Sequence, residues 1–175
     1  MSIAIDISQF AILVFAGLVI WAAVTDVRSF TIPNRICVAI ALLYPAYVLA
    51  APQPVDWIGA LMVAGAALAV GFVMFLISYR GSPIMGAGDT KLLTACALWA
   101  GPSLMFELLV VMAMAGGAIA LFTWLRHRPP AAASGLRATT TGVPTFLRIP
   151  LVRLPYGVAI CAGALYVAIS LLLGV

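Results

Sequence analysis

Long apolar runs, nearly free of charge, fill most of this 175-residue chain. A soluble domain of this size needs far more polar surface than 8% charged and 65% hydrophobic residues supply. Mean hydropathy is +1.21. The runs are apolar throughout instead of alternating, so helices and not barrel strands are expected to cross the bilayer. The expected fold is therefore an all-α, polytopic membrane protein. Its net charge of +4 bears on orientation and on anionic lipid head groups, not on nucleic acid.

A helix rises about 1.5 Å per residue, so a crossing takes about 20 residues. Six segments qualify, at roughly 6–26, 34–51, 57–78, 89–101, 103–125 and 155–174. The fourth is short, and Gly101-Pro102 marks a tight turn between it and the fifth. A five-helix arrangement, with 89–101 re-entrant, is the alternative.

Arg28 and Arg35 flank the first connection, Arg80 and Lys91 the third, and Arg126, Arg128, Arg137, Arg148 and Arg153 the fifth. The second and fourth connections and both tails carry no Lys or Arg. Six crossings place every basic residue on one face, which the positive-inside rule makes cytoplasmic, with both termini outside. Asp6 precedes the first apolar run and no basic residue does, the reverse of a signal peptide, so this segment is expected to stay.

Trp57 and Trp99 fall near the expected outer interface and Trp124 near the inner one, where amphipathic rings anchor. Small residues crowd the third segment (Ala60, Ala64, Gly65, Ala67, Gly71) and the fifth (Ala113, Gly116, Gly117, Ala120). These stripes read as packing within one subunit, ahead of a homo-oligomer face. The whole chain reads as one membrane-embedded domain. Residues 126–154, rich in Pro, Ala, Thr and Arg, form a flexible basic loop within it whose arginines suit anionic head groups.

The acidic residues number five, and two of them matter most. Asp26 ends the first segment running inward, and Asp89 opens the fourth running outward. Both then sit at the cytoplasmic boundary, where carboxylates are costly and by default functional. Two that converge suit acid–base chemistry. Asp89 follows a glycine and opens a helix, so a helix cap is its plain alternative. Asp26 faces the negative end of its helix, which a cap does not explain. From these two helix ends, Asp26 is expected to hold a shared proton and Asp89 to act as the base.

Gly86 and Gly88 bracket Ala87 just ahead of Asp89 and allow close backbone approach at a cavity edge. Lys91 is expected to snorkel to the interface. Glu107 falls near the opposite face and reads as partly exposed or paired in the bundle. Cys37, Cys96 and Cys161 lie singly in apolar runs and read as packing residues. His127 is the single histidine and reads as a solvated loop residue, so no metal or cofactor is expected.

Gly86-Ala87-Gly88-Asp89-Thr90-Lys91-Leu92 resembles the Gly-x-Gly-Asp signature of the type IV prepilin peptidases, intramembrane-type aspartyl proteases. Thr25-Asp26 followed by Ile32-Pro33-Asn34 resembles that family's first catalytic block, and Leu154-Pro155-Tyr156-Gly157 its C-terminal Pro-Tyr-Gly block. The resemblance covers nearly the whole chain. It implies that Asp26 and Asp89 form the catalytic pair, with Gly86, Gly88, Lys91, Pro33, Asn34, Pro155, Tyr156 and Gly157 in support. It implies a pilin precursor as substrate, its basic leader removed at the cytoplasmic face of a bacterial inner membrane. No paired-cysteine segment is present, so the chain resembles the short form associated with Flp-type, tight-adherence pili, and N-methyltransferase activity is not expected. The rival readings are a proton-coupled transporter subunit and a non-catalytic pilus or secretion assembly factor.

Overall fold

The computed structural model of the chain describes residues 2–80, 86–126 and 156–174, and their side chains except at 2–6 and 78–80. Among these residues all regular structure is helical: α1 (Ser2–Ser29), α2 (Asn34–Ala50), α3 (Trp57–Arg80), α4 (Ala87–Arg126) and α5 (Tyr156–Leu173). Four of the helices are long and apolar enough to cross a membrane, and α2 is a shorter apolar helix. The all-α membrane architecture follows from the sequence as expected. The proposed loop at 126–154, with His127, Arg128, Arg137, Arg148 and Arg153, lies outside the described residues beyond its first position, and so does Pro155.

The first helix runs past its expected end near residue 26 to Ser29. Phe30 then takes a positive φ of 49°, uncommon for a bulky residue, and its N–H donates to the Asp26 carbonyl at 2.8 Å. Ser29 Oγ donates to the Thr25 carbonyl at 2.8 Å and Thr31 Oγ1 to the Ser29 carbonyl at 2.7 Å. Local hydroxyls thus satisfy carbonyls that the helix end leaves open.

The fourth and fifth expected segments are one element, α4, broken at Gly101. Its φ of 58° and ψ of −170° lie in a region open essentially to glycine alone. Pro102 restarts the helix without an N–H to satisfy. Neighbours on either side of the break reveal its direction. Before it, the Thr90 hydroxyl reaches the Gly71 carbonyl at 3.4 Å, and a Cβ placed on Gly101 falls 3.9 Å from that of Ala60. After it, Cβ atoms placed on Gly163 and Gly116 fall 2.6 Å from the Leu108 oxygen and 3.6 Å from Ala159 Cβ. The first half therefore leaves the Gly71 end of α3, and the second half returns toward the start of α5. The two halves form a helical hairpin turned at Gly101.

This hairpin is the centre of the bundle. It packs on α3, α5 and α2, while α1 packs on α5 and α2; α2 and α3 scarcely touch. Phe15 stacks on Trp99 at 4.4 Å between ring centroids and 6° between planes. Trp99 Nε1 donates to the Ile40 carbonyl at 2.9 Å. Ile40 lies in the turn before Pro45, which interrupts the hydrogen-bond ladder of α2. Trp99 is thus 3% exposed, and the expected interfacial anchor is instead a core residue. Its N–H finds a carbonyl inside the bundle and has no need of the interface. Trp57 and Trp124 remain exposed.

Of the small-residue stripes, Ala60, Ala64 and Ala67 are buried within the subunit, and a Cβ on Gly71 would collide with Thr90. Gly65 and Gly117 face open space. Phe10, Leu42, Leu49, Met62, Phe106 and Met114 are each at least 67% exposed. Apolar side chains turned outward on this scale suit lipid as their solvent.

Candidate active site

Asp26 lies in the last turn of α1 yet is only 6% exposed. Its Oδ2 accepts the Gly157 N–H at 2.7 Å, a buried bond from the first turn of α5. The approach requires glycine. A Cβ at position 157 would lie 2.7 Å from Oδ2 and 2.9 Å from Asp26 Cβ. Asp26 therefore stands at the C-terminal end of one helix and the N-terminal end of another. The two helix ends oppose each other there, and the expected electrostatic contrast with Asp89 loses its premise.

Asp89 is the third residue of α4, whose preceding residue is Gly86. Its Oδ2 accepts the Gly86 N–H at 3.3 Å. Asp89 is thus not the N-cap residue but makes the backward bond of a capping box. Thr90, buried beside it, donates its N–H to the Gly86 carbonyl at 3.2 Å. Its hydroxyl shares the Gly71 and Gly86 carbonyls at 3.4 Å each. Thr90 locks the glycine turn and α3 onto the helix that carries Asp89, a role its place in the motif did not disclose.

The other motif residues gather around this turn. A Cβ on Gly88 would fall 3.3 Å from Ile32 Cβ, so the turn rests on the link between α1 and α2. Pro33 precedes α2 in an extended conformation, φ −63° and ψ 131°, and its carbonyl accepts the Ile36 N–H at 3.0 Å. Lys91 Nζ donates to Asn34 Oδ1 at 3.0 Å. This exposed bond ties α4 to α2. Tyr156 opens α5 and is 43% exposed.

Asp26 closes α1, and the glycine turn that carries Asp89 rests on Ile32 in the link that follows α1, so both carboxylates lie at the same end of the bundle. Each has one oxygen held by a backbone N–H. Among the described residues the other oxygen of each has no hydrogen-bond partner. Two carboxylates on separate helices, each fixed at one oxygen and open at the other, can share a water and pass protons to and from it.

The remaining acidic and sulfur groups fall elsewhere. Asp56 Oδ1 accepts the Gly59 N–H at 2.9 Å and caps α3. Glu107 adjoins Leu108, which meets α5 at Gly163, about 9 Å along the helix from Gly157. Its Oε2 is buried without a hydrogen-bond partner among the described residues. Cys37, Cys96 and Cys161 are free and buried, and among the described residues no cluster of metal-ligating side chains occurs.

The family model of the type IV leader peptidase family matches residues 13–121, a span that holds both aspartates and the glycine turn. No curated protein and no solved structure matches the chain.

Proposed function

Because the chain belongs to the type IV leader peptidase family, and is thereby an aspartic peptidase in general class, we propose that it removes the basic leader from pilin precursors at the cytoplasmic face of the bacterial inner membrane. Asp26 and Asp89 are its catalytic pair. The observation that carries this reading is that each carboxylate is pinned through one oxygen to a backbone N–H of its surroundings, while its other oxygen has no partner among the described residues.

A water held between the free oxygens loses a proton to one carboxylate as its oxygen attacks the scissile carbonyl carbon. The other carboxylate, protonated, donates to the carbonyl oxygen. Collapse of the tetrahedral adduct breaks the C–N bond; the proton taken from water goes to the departing nitrogen, and the hydroxyl formed from the carbonyl oxygen returns its proton to the carboxylate that supplied it. The products are a leader ending in a carboxylate and a pilin beginning with an amine. Gly157 and Gly86 supply the N–H groups that orient the pair, and Thr90 steadies the turn.

In this reading the chain crosses the membrane six times, with the α4 hairpin supplying two crossings, and both termini face outward. It serves the Flp type of pilus and leaves the new amine unmethylated. The test is purified protein mixed with a Flp-type precursor, the shortened product being followed by mass. Asp26→Asn and Asp89→Asn should each abolish cleavage while remaining folded in the membrane. Substantial cleavage by either variant would remove that residue from the pair.

A further inference from the structure

Between α2 and α3 lies a groove that the catalytic reading leaves unused. The two helices are joined by the short link 51–56 yet scarcely touch. One cavity of about 440 Å³ opens between Asn34, Val38 and Lys91. A second of about 380 Å³ continues toward Leu49 and Trp57. Ala41, Leu61 and Leu98 line both, so the two form one groove. From Asn34 to Leu49 it follows α2 for about 23 Å, most of the roughly 30 Å hydrocarbon core. Ala41, Ala64 and Ala95 face it, and such small residues let a helix backbone approach closely.

The charge in this groove is Lys91, two residues beyond Asp89. Its ammonium has a neutral partner, Asn34 Oδ1, and among the described residues no carboxylate pairs with it. An exposed cation at the mouth of an apolar groove offers a charged partner to whatever helix the groove holds. A helix seated with its N-terminal end here would add the positive end of its own macrodipole. A carboxylate in the first turns of that helix offsets both.

We propose that this groove seats the apolar helix of the precursor, N-terminal end at Lys91, with an acidic residue of its first turns paired to the Lys91 ammonium. The proposal rests on the peptidase reading. It accounts for how the bond preceding that helix is brought to Asp89. A cavity of about 360 Å³ beside Met74, Met112 and Tyr156 carries no charged residue among the described ones and is the rival seat. A lipid with its phosphate on Lys91 is the rival occupant.

Cross-linking in membranes decides among them. Val38→Cys and Leu61→Cys are placed singly in a chain whose three native cysteines are serine and whose Asp89→Asn change stops turnover. The precursor carries single cysteines along its apolar helix. Both enzyme positions should form disulfides with it, whereas Met112→Cys and Phe106→Cys should not. In otherwise native enzyme, Lys91→Met should raise KM about tenfold, the scale of one charge-assisted contact. With a precursor whose first-turn acid is an amide, the same change should have no effect. Cross-links at Met112 alone would move the helix to the other cavity. No cross-link at all, in membranes where the cysteine-free parent with Asp89 restored still cleaves, would leave the groove to lipid and overturn the proposal while sparing the peptidase. Equal loss with acidic and amide precursors would overturn the Lys91 pairing. Failure of the native chain to cleave would remove the peptidase reading and the groove's role together.

Discussion

Gly157→Ala tests whether a missing side chain at the start of α5 sets the geometry of Asp26. The new Cβ would lie 2.7 Å from Asp26 Oδ2, 2.9 Å from its Cβ and 3.0 Å from its Cγ. Non-bonded carbon atoms prefer about 3.5–4.0 Å, so the carboxylate and α5 must separate by nearly 1 Å. The 2.7 Å bond from the Gly157 N–H would lengthen or break. A hydrogen bond to a charged group contributes about 1.5–3 kcal/mol, or about 10- to 100-fold in rate. A 1 Å misplacement near the reacting atoms carries a loss of about 100-fold. Cleavage of a precursor should therefore fall by roughly two orders of magnitude in kcat, with the protein folded. Gly163→Ala is the control, because its Cβ would lie just as close, 2.6 Å, to the Leu108 carbonyl oxygen, but away from the aspartates. It should lower thermal stability and leave kcat per folded molecule intact. Near-native kcat in Gly157→Ala, or an equal loss in Gly163→Ala, would refute the positioning role.

Trp99→Phe keeps the stack on Phe15 but leaves the Ile40 carbonyl without its indole donor. The carbonyl keeps its helical bond, so the loss is that of one ordinary hydrogen bond, about 0.5–1.5 kcal/mol; unfolding in mixed micelles should come at measurably lower denaturant, and an unchanged midpoint would argue against the bond. Orientation is checked with a membrane-impermeant thiol reagent on intact cells, in a background lacking the native cysteines. Ser29→Cys should be shielded and Gln53→Cys should react, and the reverse pattern would invert the topology.

Helix positions were legible where an apolar run met a polar or turn residue. The segment expected at 34–51 is Asn34–Ala50, and that expected at 57–78 is Trp57–Arg80. The break at Gly101-Pro102 was legible because those residue types tolerate few other roles. Contacts between distant parts of the chain were not. Trp99 looked interfacial by its place along the segment, but its burial depends on Phe15 and on the carbonyl of Ile40. The glycine of the Tyr156-Gly157 pair could be matched to a family pattern, while its bond to Asp26 required the packing of α5 on α1. Asp89 could be assigned to a helix start, but its backward bond to Gly86 turns on a single residue of register.

The bond between Gly157 and Asp26 also carries a schedule. It joins residues 131 positions apart, and chains are made from the N-terminus at about 5–20 residues per second. Both aspartates have been synthesised by residue 89, while the N–H that steadies the first of them arrives roughly 3–14 s later, with α5. Until that helix docks, Asp26 has no anchor on this side. In the proposed mechanism a half-made chain therefore holds both carboxylates without the alignment to use them, and competence would come only as the last described helix joins the bundle.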